Sequence, residues 1–479
     1  MTASLFWYDY ETTGIDPRRD RPLQVAGIRT DEALNEIGTP LNLYCQPADD
    51  ILPHPQSCLI TGIDPARLQR EGLCEAEFMT RLHAELAQPG TCSAGYNTLR
   101  FDDEVTRFSL YRNFFDPYAR EWQGGNARWD LIDLLRTAYA LRPEGLEWPE
   151  EEGRVSLRLE RLTAANGIAH GQAHDALADV RATLALARKV RDLQPRLYDW
   201  CYQLRHKAQV TRHVRLLEPL LHVSGRFGAA RHFIAPVLPL AWHPRNRNAL
   251  IVCDLQAGIT PLLELSAEVL AKRLYTRHDA LEAGERPVPL KLLHINRSPV
   301  IAPLSVLRDS DRQRLALDLE ACQMRARQLR EELPLWQHKL AVIYAAGEFV
   351  GVADPEQRLY DGFIGDRDRD ICLRIRESDP QRLRDWQGQF ADERLEELLF
   401  RYRARNFAHT LDLQEQRHWQ TFCRTRLSDP QAGAPMTLGA FMQEANALRA
   451  SATPAQQQLL DSWLQQAQQI AERYGLTPH

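Results

Sequence analysis

Asp9 and Glu11 stand two residues apart at the end of a short apolar and aromatic run, LFWYDYE. Residues two apart on a strand project to the same face, so both carboxylates are expected to point together. Two buried acids on one face are costly unless something joins them, and a divalent cation does so through oxygen ligands. A D-x-E at a solvated strand edge needs no ion, so the pair by itself leaves both accounts open. A second acidic group follows in GYNTLRFDDE, where Asp102 opens a predicted helix with Asp103 and Glu104 beside it. First-turn acids also suit a helix dipole, which is the alternative account of that run. The third group is HDALAD, in which Asp175 can cap a helix carrying Asp179 while His174 sits on the loop before it. Spaced as they are, His174 and Asp179 converge only if the histidine lies off the helix end; an ordinary capped surface helix would also carry this pattern. Taken together, the three groups fit two-metal phosphodiester hydrolysis, with two cations ~3.5–4 Å apart clamping the attacking and leaving oxygens. Asp9, Glu11, Asp102 and Asp179 offer oxygen ligands, which suit Mg²⁺ or Mn²⁺ better than zinc. His174 can take the proton from the attacking water.

These residues need elements to position them. Apolar runs predict strands over 5–10, 22–29, 40–45 and 91–96. Helical periodicity predicts helices over 75–87, 103–112, 129–139, 157–166 and 175–193. Each acidic group therefore starts or ends an element of one α/β unit that closes near Leu193, with Pro195 as a plausible boundary. From there to Tyr344 short β-rich runs alternate with turn residues, as in a small antiparallel barrel or sheet, followed by a charged helical stretch over 309–332. From Asp354 onward the pattern is that of a helical bundle, and the Gln-rich segment 455–468 has helical apolar spacing. The expected domains are 1–194, 195–348 and 349–479.

The bulk properties narrow the setting. A chain of 479 residues, 44% hydrophobic and 26% charged, predicts a folded protein of several domains. No apolar run reaches the ~20 residues a spanning helix needs, and the N-terminal residues lack the basic leader of a signal peptide. Nine cysteines without a C-x-x-C pair indicate neither a disulfide framework nor a zinc site, so a reducing cytoplasm is expected. The net charge of −5 argues against a uniformly basic coat and leaves room for a local basic channel.

A channel for a single strand combines cations for phosphates with flat rings for bases. Arg107, Tyr111, Arg112, Phe114, Phe115, Tyr118 and Trp122 follow Asp102 with that composition, although Phe108, Leu110 and Phe114 are expected to be core. Arg136, Arg142 and Arg158 add positive charge. Trp242, His243, Arg245, Arg247 and Asn248 form one later cluster, and Lys291, His294, Asn296 and Arg297 another. Tyr360 and Phe363 are placed to close the channel.

The motif order D-x-E, N-x-x-x-F-D, H-x-x-x-x-D resembles the DEDDh exonucleases, relatives of the proofreading subunit of DNA polymerase III. DYETTGIDPRRDRP, ITGI, GYNTLRFDDEVTRFSLYRNFFDPYAREW, RWDLIDLLRTAYALRPEG and ANGIAHGQAHDALADV resemble the bacterial exonuclease I family, as do LLHVSGRFG, LAWHPRNRNA, KLLHINRSPV and LLFRYRARNF. The resemblance implies Asp9, Glu11, Asp102 and Asp179 as metal ligands, His174 as general base, and Glu11 and Arg158 at the scissile nucleotide. It implies a ribonuclease H-like exonuclease domain, an SH3-like β-barrel and a C-terminal helical domain around single-stranded DNA. The implied activity is processive 3′→5′ release of mononucleotides with two Mg²⁺ ions, in repair and recombination, by a monomer. The acidic C-terminal tail of single-stranded DNA-binding protein is an implied partner, with Arg142 a candidate contact. An RNA-trimming DEDDh exonuclease and a non-catalytic single-strand-binding module are the competing readings. The former are short single-domain chains, and all five catalytic positions are present here.

Overall fold

The computed structural model describes residues 3–171, 175–276, 280–282, 284–345 and 352–477. These fall into two compact units. One comprises Met1–Ala127, His170–Leu184 and Val350–His479, the other Arg128–Ala169 and Ala185–Phe349.

The first unit is built on strand β1 (Ser4–Thr12), which pairs antiparallel with β2 (Pro22–Thr30); β3 (Leu41–Cys45) and the short β4 (Gly72–Leu73) continue the sheet beyond β2. On its other side β1 pairs in parallel with β5 (Thr91–Gly95), giving the order β4-β3-β2-β1-β5. The parallel pairing stops at Trp7↔Ala94, because the chain turns away at Gly95. A Cβ on Gly95 would sit 2.7 Å from the Tyr8 carbonyl oxygen, so only glycine permits that close departure. The far half of β1, with Asp9 and Glu11, is thereby left unpaired on the β5 side. Beyond the sheet come α1 (Pro55–Thr61), α2 (Pro65–Glu71), α3 (Glu75–Leu86) and α4 (Asp102–Arg112). The first two begin with proline at the position where its missing N–H costs nothing, a start signal not read from the sequence. Phe6, Tyr8 and Tyr10 of β1 pack with Phe78, Leu82, Val105 and Leu110. Phe108, Leu110 and Phe114 are core, as expected.

The C-terminal helices belong to the same unit. Phe108 and Phe114 share a core with Ile375, Leu395, Leu399 and Tyr402, while Leu52, Cys58 and Ile63 share one with Trp419, Phe441 and Trp463. The segment 455–468 lies within a longer helix, Pro454–Tyr474.

In the second unit a strand, β6 (Ala127–Asp130, its first residue closing the first unit), occupies the start of the helix expected over 129–139. Asp130 accepts a hydrogen bond from Ile132 N and caps α5 (Leu131–Leu141) instead. A two-strand hairpin, β7 (Glu150–Glu151) and β8 (Arg154–Val155), precedes α6 (Leu159–Ala165). The helix α7 (Ala176–Leu193) starts in the first unit and ends in the second. The expected β-rich region opens with two helices, Pro195–Gln203 and Lys207–His213. It then forms a five-stranded antiparallel sheet of β9 (Leu220–Val223), β10 (Ile234–Trp242), β11 (Ala249–Asp254), β12 (Leu290–His294) and β13 (Val300–Ala302), in the order β12-β11-β10-β9-β13. The single helix expected over 309–332 is two, Asp309–Arg314 and Leu319–Glu331. Ala316 takes a φ of 49° between them and Asp318 caps the second.

Charge also ties the first unit together. Arg21, just before β2, donates to Glu356 at 2.7 Å. Arg405 is bidentate on Asp50 (2.7 and 3.0 Å) and also bonds Glu356, while Arg401 and Arg426 share Asp354. Asp50 is 0% and Glu356 1% exposed. Burial by itself would raise the Glu356 carboxyl, but Arg405, Arg21, Arg401 and Arg426 outweigh it and hold it well below the usual range. Glu356→Gln strands these guanidiniums beside a neutral amide and is expected to cost about 3–5 kcal/mol, the range for breaking a buried pair. Because the folded pKa is depressed, this contribution is full above about pH 4.5 and is lost as pH falls below it. Urea denaturation of both proteins, at neutral pH and below pH 4.5, checks the size of the difference and its shrinkage in acid.

Candidate active site

Strand alternation sends Tyr8 and Tyr10 towards α4 and Asp9 and Glu11 the other way. Tyr8 Oη donates to Asp103 Oδ1 at 2.7 Å, and Arg120 donates to the same oxygen at 2.5 Å. Tyr10 Oη and Thr106 Oγ1 lie 3.1 Å apart. These contacts fix the first turn of α4 against the end of β1. There the Tyr10 N–H, left without a strand partner, donates to Asp102 Oδ1 at 3.2 Å. Asp103 is thus structural, and Asp102 is delivered to the site.

Beyond Glu11 the turn is equally fixed. Thr13 Oγ1 donates to Asp20 at 2.8 Å and accepts from Arg21 N at 2.9 Å, and Arg21 reaches Glu356. The third element is α7, whose N-terminus is capped by Asp175: its carboxylate accepts from Leu177 N and Ala178 N, each at 3.1 Å. The cap expected from the sequence is present, and one turn later the helix presents Asp179.

Oxygens of Asp9, Glu11 and Asp179 all lie within 4.8 Å of one another. Asp102 is not in that group, yet its charge acts on both Asp9 and Glu11. Burial, then Asp102, Glu11 and Asp179, push the Asp9 carboxyl well above its usual range. Burial, then Asp179, Asp102 and Asp175, push Glu11 up to about 9. Among the described residues the charges that act on these two groups are acidic, so the site fits a cation, and the oxygen donors of Asp9, Glu11 and Asp179 fit a hard one. His174 lies outside the described residues. His170 lies inside them, with Nε2 2.5 Å from Asp179 Oδ1. The sequence reading passed over it, although the pattern H-x-x-x-H-x-x-x-x-D offered a second imidazole.

The structure divides the other expected contacts between the units. In the first, Arg107 is buried and held by Glu104 (2.8 Å) and Glu121 (2.7 and 2.9 Å), with Tyr360 Oη at 3.1 Å. Its guanidinium stands 5.4 Å from the Tyr118 ring, and Tyr118 meets Phe363 edge-on at 5.8 Å. Phe363 is 85% and Trp122 66% exposed. In the second unit Arg136 is buried, paired with Asp133 and 5.7 Å from the Phe233 ring. Arg142 pairs with Asp311, and exposed Arg158 lies 3.7 Å from Glu151. Asn248 accepts from Lys207 at 2.6 Å, Lys291 Nζ lies 2.7 Å from His222 Nε2, and Arg245 and Asn296 are exposed.

With its acids crowded and buried, the metal-free protein should lose stability as pH rises from 4.5 towards 9, because the unfolded chain releases a proton that folded Glu11 keeps. Glu11→Gln is expected to lessen that loss and to diminish the rise in melting temperature on adding Mn²⁺. Melting curves across that range, with EDTA and then with Mn²⁺, measure both.

Comparison with known proteins gives the family. Three family models match: Exonuclease over residues 6–187, Exonuclease I SH3-like domain over 205–346, and Exonuclease I C-terminal domain over 353–470. Exodeoxyribonuclease I of Escherichia coli (strain K12) is 48% identical over 421 residues, covering 87% of this chain and 88% of the relative. An exonuclease I from Methylocaldum szegediense superposes with a TM-score of 0.93 at 48% identity, over 98% of this chain and 99% of that one. The zinc-bound form of the E. coli exonuclease I–single-stranded DNA complex gives 0.92 at 44% identity, over 98% and 100%. The β-rich part is accordingly an SH3-like domain, the α/β part an exonuclease domain, and the chain belongs to the exonuclease I family.

Proposed function

We propose that this chain, a nuclease acting on DNA, removes 5′-mononucleotides processively from the 3′ end of single-stranded DNA at a site formed by Asp9, Glu11, Asp102 and Asp179, in DNA repair and recombination. The observation that carries the reading is the convergence of three buried or half-buried carboxylates from β1 and α7 within 4.8 Å, with no basic group acting on Asp9 or Glu11 among the described residues. The metal-bound relative supports a cation site, and the oxygen donors favour two Mg²⁺ ions, with Mn²⁺ as a substitute. When bound, such ions activate water and neutralise charge on the attacking and leaving oxygens.

The chain's own residues do the rest. Asp9 and Glu11 hold their spacing because β1 is rigid, and the Tyr10 N–H aims Asp102. His174 removes the proton from the attacking water, and Glu11 and Arg158 bind the terminal nucleotide. Tyr118, Tyr360 and Phe363, with Arg107 and Trp122, give a strand flat rings beside a cation, and Arg136, Arg142, Arg245, Asn248, Lys291 and Asn296 add contacts from the second unit. The SH3-like and C-terminal domains, in a division at 1–194, 195–348 and 349–479, favour this reading over a single-domain RNA trimmer. We further propose a monomer, an acidic tail of single-stranded DNA-binding protein as partner near Arg142, and a cytoplasmic location in keeping with nine free cysteines. Among the described residues no helix is long and apolar enough to cross a membrane.

Incubation with Mg²⁺ and 5′-labelled DNA or RNA single strands tests the activity. Stepwise shortening of DNA from its 3′ end is expected, abolished by EDTA and by Asp9→Ala or Asp179→Ala; full activity in EDTA sinks the reading. His174→Ala should slow turnover by about 10²–10⁴-fold while strand binding survives. Phe363→Ala should weaken binding of a single strand by about 1–3 kcal/mol, the worth of one stacked base, measured by fluorescence anisotropy.

A further inference from the structure

His170 has no part in the chemistry derived so far, yet it touches the centre of it. Its Nε2 lies 2.5 Å from Asp179 Oδ1, and only 10% of its side chain is exposed. Next to it, a Cβ on Gly171 would stand 3.5 Å from the Ala178 Cβ, so Gly171 lies against the first turn of α7, the turn that carries Asp179. Asp175 pins the same turn by capping it. The imidazole is not part of the group of ligand atoms formed by Asp9, Glu11 and Asp179, so its contact is with Asp179 and not with the whole group. The two atoms are within hydrogen-bond reach, and an imidazole N–H is able to donate to a carboxylate oxygen.

The terminal torsion of an aspartate is broad and close to two-fold, and packing does little to fix it. A hydrogen bond to Oδ1 restricts it. We propose that His170 is a positioning residue: it orients the Asp179 carboxylate for the cation that this residue shares with Asp9 and Glu11. The inference rests on the proposed role of Asp179 as a ligand. Hydrogen-bond partners of ligating carboxylates typically carry about 10–100-fold in metal affinity.

The test is Mn²⁺ binding to the full-length chain, followed by the electron paramagnetic resonance signal of free Mn²⁺, alongside turnover on single-stranded DNA as a function of Mn²⁺. His170→Leu should weaken Mn²⁺ binding by about 10–100-fold, with turnover recovering at saturating Mn²⁺. His170→Gln, whose amide can donate from a similar place, should restore most of the affinity, and melting curves in EDTA check that both variants fold. Parental or tighter binding by His170→Leu overturns the proposal, as does equal weakening by both substitutions. Asp179→Asn separates the two readings: if it leaves Mn²⁺ binding unchanged, the ligand assignment of Asp179 fails and takes the role of His170 with it.

Discussion

Carboxylates brought together out of water repel one another, and the end of β1 holds Asp9 and Glu11 in that condition with Asp102 and Asp179 close by. The fold must supply the rigidity that keeps these groups from moving apart. It does so through contacts on the opposite face of the same strand. Tyr8 and Tyr10 lock α4 in place through Asp103 and Thr106, and the backbone N–H between Asp9 and Glu11 holds Asp102. The departure of β5 at Gly95 makes this possible, since a longer parallel pairing would have used that N–H in the ladder.

The first unit contains a second population of buried charge with the opposite character. Asp50, Asp354 and Glu356 are matched by Arg21, Arg401, Arg405 and Arg426, so each desolvated carboxylate meets guanidinium donors. Such a network contributes little net stability relative to an apolar core, but its geometry is demanding, and breaking it is costly. Arg21 links it to the turn after Glu11 through Thr13, so the C-terminal segment helps fix the strand that carries the site. A network of paired charges beside a cluster of like charges is the pattern expected where one set specifies shape and the other binds a ligand.

The aromatic and basic residues after Asp102 obey the same economy. Arg107 is buried between Glu104 and Glu121, so its charge is largely matched within the protein, and its guanidinium supports the Tyr118 ring. The surface left for a partner is carried by the rings: Phe363 and Trp122 project into solvent, and Tyr360 sits between Glu104 and Arg107. Sequence composition identifies such a cluster but does not say which member faces outward, because an arginine on a helix serves a carboxylate or a phosphate equally well.

What the sequence determined by itself is what local periodicity and capping control. Alternation on a strand places Asp9 and Glu11 on one face, Asp175 caps α7 one turn before Asp179, and the apolar spacing of α4 buries Phe108. The order of the three acidic motifs identified the superfamily for the same reason, since each is a short-range signature at an element's end. Helix starts marked by proline at 55 and 65, the strand at 127–130 and the break at Ala316 escaped because their cues are single residues. Tertiary structure alone decided the contacts between distant positions. Tyr10 N meets Asp102 across 92 positions, Arg405 meets Asp50 across 355, and His170 reaches Asp179 from outside α7. No spacing rule encodes these pairings; they depend on where whole elements come to rest, which packing of their apolar faces settles.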